Sequence, residues 1–142
     1  MQKPSAFWIN WLRAVSLSVV VFGLILVVAP DWTQLGFSAL AFGDSQRLAS
    51  FEPAAVSYIR LTHAVLGSVM VGWGVAIFLV IQGPFAAAQP IGWRIIAISV
   101  LAWFLPDTTY SLWSGFWQNA VLNLFFLVLF AIPLMATRRL NQ

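Results

Sequence analysis

Four apolar stretches, each long enough to cross a bilayer, constrain this sequence more than anything else in it. A helix rises about 1.5 Å per residue, so roughly 20 apolar residues traverse a hydrocarbon core of about 30 Å. Stretches of that length run from about Leu12 to Ala29, Ser57 to Ile81, Ile91 to Ser111 and Phe116 to Ala136. Pro30-Asp31 ends the first, Gln82-Gly83-Pro84 the second and Arg138-Arg139 the fourth, while Pro106 lies near the far end of the third. The pattern predicts an all-α membrane protein: a four-transmembrane-helix bundle forming a single domain over residues 1–142, with a partly helical outer loop between helices 1 and 2.

Composition agrees. Of 142 residues, 61% are hydrophobic and 8% charged, and mean hydropathy is +0.90. A soluble domain runs near half apolar and a quarter charged, and a disordered chain needs low hydrophobicity, so both classes are excluded. The absence of cysteine removes thiol redox chemistry, thiolate metal sites and disulfides. A single histidine, His63, removes a multi-histidine metal site within one chain. The net charge of +3 comes from scattered residues, Lys3, Arg13, Arg47, Arg60, Arg94, Arg138 and Arg139. A nucleic-acid footprint would need them clustered. The partners expected are the lipid bilayer, other membrane-protein subunits or a second copy, and no nucleic acid.

Four spans put Lys3, Arg13, Arg94, Arg138 and Arg139 on one side, and Asp31, Asp44, Arg47, Glu52 and Asp107 on the other. Three spans would split the arginines. Basic residues stay inside, so the expected placement is a bacterial inner membrane with both termini cytoplasmic. Trp8, Trp11 and Trp93 then mark the inner interface, and Trp32, Trp113 and Trp117 the outer one. Trp73 and Trp103 fall deeper and read as packing. Cleavage of the first span as a signal peptide would leave Pro30 first, so an uncleaved helix is expected. In the outer loop, Asp44 is placed to cap a helix from Ser45 to Phe51 that Pro53 ends. The apolar Trp32, Leu35, Phe37, Leu40 and Phe42 suggest a segment lying on the membrane or capping the bundle.

Polar groups inside a span are costly and call for a reason. Helix 2 carries Arg60 and His63 on one face, helix 3 carries Asp107, Thr108 and Ser111, and helix 4 carries Asn119 and Asn123 one turn apart. Helical rise places Asp107 roughly 21 Å from the inner end and Asn123 roughly 22 Å, with His63 and Asn119 each at roughly 28 Å. The expectation is one polar cluster opening outward, in which Arg60 reaches down to Asp107. It is either a ligand or proton site, or an interhelical clamp. No cofactor is expected. His63 reads as hydrogen-bonded within the cluster, with haem or pigment ligation beside Gly67 as the alternative.

Helix 2 also carries Ala64, Ser68, Gly72 and Ala76 at intervals of four, the small-residue stripe that lets helix backbones approach. Packing within the chain is the favoured reading, a second chain the other. Helix 1 has few polar or small marks and reads as lipid-facing or as packing surface for a larger complex.

Arg60-x-x-His63, Gly72-Trp73, Trp103-x-x-x-Asp107-Thr108, Ser111, Gly115-Phe116, Asn119-Ala120 and Asn123 together resemble an uncharacterised family of small four-span bacterial inner-membrane proteins. The layout over helices 2 to 4 is similar to DoxX-like families. That resemblance implies a four-helix inner-membrane bundle and no particular activity. Small four-helix drug exporters carry an essential Glu in helix 1, and no acid lies between Arg13 and Pro30 here.

Three functions compete. The favoured one is a non-enzymatic accessory or structural component of a membrane complex. The second is a small-solute or proton transporter or receptor using the outward polar cluster. An intramembrane enzyme is disfavoured: there is no paired carboxylate, no Ser/His/Asp set with an oxyanion hole and no phosphate-cradling glycine loop.

Overall fold

Helix punctuation explains the architecture. The computed structural model describes residues 3–138, and it is all α-helical among them. Its helices are α1 (Ala6–Val28), α2 (Pro30–Phe42), α3 (Pro53–Val80), α4 (Pro90–Trp113) and α5 (Trp117–Thr137). Among the described residues four helices are long and apolar enough to cross a membrane: α1, α3 extended to Phe85, α4 and α5. The protein is therefore a multi-pass membrane protein. Arg139, counted above with the basic inner residues, lies outside the described residues.

Three of the four later helices open on proline at or next to the first helical position, where its missing N–H costs nothing. The spans begin and end within a few residues of expectation. The largest differences are α1, which starts at Ala6, and α3, which starts at Pro53.

The chain divides into two units, one of Ser18–Gly74 and one of the described residues within 1–17 and 75–142. In the first, the C-terminal half of α1 lies against α3 through two glycines. A Cβ built on Gly23 would lie 2.6 Å from the Gly67 carbonyl oxygen and 3.0 Å from the Met70 Cβ. One on Gly67 would press into the Gly23 carbonyl and the Leu26 Cβ. The face of α1 that carries Gly23 is thus a packing face within this unit, while Val21, Leu24 and Val28 stay exposed.

The outer loop differs from expectation. The helix expected at Ser45–Phe51 is a single 3-10 turn, Leu48–Ser50, and the helical part is the 13-residue α2, earlier in the loop. Pro30 starts α2, Asp31 complements its N-terminal dipole and Gly43, at φ 70°, ends it with its N–H on the Ala39 carbonyl. Asp44 does not cap a helix; it accepts the Gln46 N–H in a tight turn. Ser38, fully buried, accepts the Leu48 N–H and donates to the Asp44 carbonyl, tying the loop back onto α2.

In the second unit, α3 ends in a π turn over Ile81–Phe85 that contains Pro84. Proline cannot donate to the helical ladder, and the Ala86 N–H bonds five residues back to Ile81. Gly92 of α4 sits against the backbone of Pro84 and Phe85, so no side chain fits there. Two indoles then register α1 and α4 on α5. Pro133 has no N–H to give the Leu129 carbonyl, and the Trp11 indole donates to it at 2.9 Å. The Arg138 N–H turns to Met135, and the Leu134 carbonyl takes the Trp93 indole at 2.8 Å.

Candidate functional site

The seven expected polar residues form two sets with different partners. In the unit of α4 and α5, the turn after Trp113 passes through Gly115 at φ 84°, where a left-handed backbone favours glycine. It folds Asn119 back toward α4. The Asn119 amide donates to the Asp107 carboxylate at 3.0 Å and to the Ser111 hydroxyl at 2.8 Å. The Ser111 hydroxyl sits 2.8 Å from the Asp107 backbone carbonyl and 3.3 Å from its carboxylate, so one proton serves either acceptor. One turn deeper, the Asn123 amide donates to the Thr108 hydroxyl at 3.2 Å. Ser111 and Asn123 are buried. Five residues expected at the site are thus joined across two helices by side-chain hydrogen bonds.

Arg60 corrects the expectation. Its guanidinium was expected to reach Asp107; it bonds Asp31 at 2.6 Å and Gln34 at 3.2 Å instead. The reason is α2: once residues 30–42 are helical, Asp31 and Gln34 lie one turn apart on one face of it and meet Arg60. The pair is about half-exposed on the arginine side and more on the aspartate side, so water weakens it. His63, one turn along α3, stacks on Phe37 of α2 with centroids 4.6 Å apart. Its Nδ1 is buried and has no hydrogen-bond partner, which differs from a histidine hydrogen-bonded into a cluster. Asp31, Gln34 and Phe37 were missed as partners because the helix of this loop was expected at Ser45–Phe51 and not at Pro30–Phe42. Pro30 and Gly43 at its two ends were the available signal.

The small-residue stripe of α3 also differs from the favoured reading. Ser68, Gly72 and Ala76 are exposed, and Ala64 is partly so. A Cβ on Gly72 would meet nothing within 4 Å. Gly67 and Gly74, which flank the stripe, are buried instead, and Gly67 packs against Gly23 of α1.

Among the described residues no group of three or more His, Asp or Glu is placed to hold a metal ion. The chemistry available is hydrogen bonding around one carboxylate, Asp107, and an ion pair at Arg60. Comparison with protein-family models, curated proteins and solved structures returned no match.

Proposed function

We propose that this membrane protein is a non-enzymatic accessory or structural component of a membrane complex, residing in a bacterial inner membrane with both termini cytoplasmic. The DoxX-like layout is part of that proposal. The observation that carries it is the bonding of Asp107, Ser111 and Asn119 to one another. Groups tied to each other across α4 and α5 act as a clamp, and a clamp of this kind in a membrane contributes about 0.6 kcal/mol per bond on average. The exposed stripe of Ser68, Gly72 and Ala76 adds support, since it offers a close-approach surface to a further subunit or a second copy.

The test is a tagged purification from native membranes in mild detergent, reading particle mass, co-purifying proteins and the visible spectrum. A large particle with stoichiometric partners supports the proposal. A small colourless particle holding only this chain refutes it. A haem or pigment band would instead bring His63 forward as a ligand.

One observation favours a second reading, a small-solute or proton site. The second carboxylate oxygen of Asp107 has no hydrogen-bond partner among the described residues, since both contacts fall on Oδ1. In that reading Asp107→Asn abolishes transport while the protein accumulates normally. In the clamp reading the same change lowers abundance.

A further inference from the structure

The end of the α4–α5 unit opposite Asp107 carries three arginines and, among the described residues of that unit, no acid. The two indole bonds fix its geometry. Trp11 is level with Leu129 and Trp93 with Leu134, five residues apart on α5, or roughly 7.5 Å. Arg13, Arg94 and Arg138 therefore belong to the same end of the same unit. Among the described residues of this unit the one acid is Asp107, and it is 14 residues up α4 from Trp93, roughly 21 Å away.

Arg13 is the residue that needs an acceptor. It sits two turns into α1 and is partly buried. Its Nη1 donates to Asn10 at 3.2 Å, which draws the guanidinium back toward the helix start. Its Nε is buried with no hydrogen-bond partner. The protein encloses that Nε, so an anion meets this half-buried guanidinium at its Nη groups, whose N–H bonds are arranged to grip a doubly accepting oxyanion. Phe7 and Ile91 are exposed apolar residues at this end of the unit.

We propose that Arg13, with Arg94 and Arg138 at the same end, binds the phosphodiester of an anionic phospholipid. The acyl chains of that lipid lie along the exposed apolar flank of α4, which carries Ile91, Ile95 and Ile98. A lipid rather than free phosphate fits because Arg13 lies inside a membrane-crossing helix, where a headgroup is carried to it by its own chains.

The full-length protein in detergent is exposed to equimolar phosphatidylglycerol and phosphatidylcholine and read by native mass spectrometry, with inorganic phosphate as competitor. The wild type retains phosphatidylglycerol several-fold over phosphatidylcholine. Arg13→Gln lowers that retention about fivefold, the effect of one basic residue near an anionic surface. Arg13→Lys lowers it less, and Arg47→Gln, in the outer loop, leaves it unchanged. Equal retention of the two lipids by the wild type overturns the proposal, as does an unaltered preference in a folded Arg13→Gln. Displacement by inorganic phosphate as readily as by lipid overturns the choice of a lipid. Should Arg13→Gln not fold, Arg13→Lys and Arg94→Gln decide: unchanged preference in both refutes the site.

Discussion

Trp11 donates its indole N–H to the Leu129 carbonyl, the carbonyl that Pro133 leaves without its helical donor. A proline inside a membrane helix needs such a substitute donor, because lipid supplies none. The tryptophan at the bilayer edge is thereby a specific fastener between α1 and α5 as well as an interfacial anchor.

Trp11→Phe should cost about 1–2 kcal/mol, the range for an unsatisfied buried acceptor. Pro133→Ala restores a backbone N–H four residues after Leu129, so Trp11→Phe should cost less in that background. Thermal unfolding of the two single variants and the double variant in one detergent gives the coupling, and strict additivity would disprove the substitution of one donor for the other.

Gly23→Ala and Gly67→Ala should each destabilise by about 1–3 kcal/mol, the usual cost of overpacking, because the obstructing atoms are backbone and Cβ atoms that have little freedom to shift. Gly72→Ala should be neutral or gain up to about 1 kcal/mol from helix propensity, since open space surrounds it. Melting temperatures of the three variants form the check. A loss at Gly72 in the purified particle would mean that another helix covers that position.

The Asp107–Asn119 contact should show a coupling on the order of 1 kcal/mol in a double-mutant cycle with Asp107→Ala and Asn119→Ala. Arg60→Gln should add independently to Asp107→Asn, because the hydrogen-bond partners of the two residues are disjoint. Non-additive abundance in the combined variant would show that the two sets act as one.

The Arg60–Asp31 pair is partly exposed and should contribute no more than about 1 kcal/mol. Its effect should appear locally, as docking of α2. The chain has no cysteine, so Thr33→Cys, at a buried position of α2, gives one reporter. Maleimide labelling should run several-fold faster when Asp31→Asn is added, and high salt without that change should speed it in the same direction by no more. A rate insensitive to both would assign the docking to the Phe37–His63 stack alone.

The four spans were legible because length and apolarity alone decide them, and proline or charge marks where they stop. The α2 helix was less legible. Its apolar residues were read as a membrane-lying or capping segment, yet Pro30 and Gly43 bracket thirteen helical residues. That one misreading carried through to the site: without α2, Arg60 had no carboxylate nearer than Asp107. Within α4 and α5, a simple spacing of polar residues found Asp107, Ser111 and Asn119, because a helical hairpin brings the two ends beside its turn together. Helix rotation is what the spacing could not supply, and it decides that Gly67, not the neighbouring stripe, meets α1.

The apolar helix running from Pro53 to Phe85 has 33 residues, so it is about 50 Å long, against about 32 Å for the 21 residues of α5. A bilayer including its headgroups measures about 40–45 Å. Its long helix must therefore lean or stand out of the membrane, and each ångström of excess costs a fraction of a kcal/mol. Bilayer thickness thus becomes a variable this protein feels mainly through one helix. Arg60 is seven residues from its start, so a lean of this helix shifts the level of the ion pair that fastens α2.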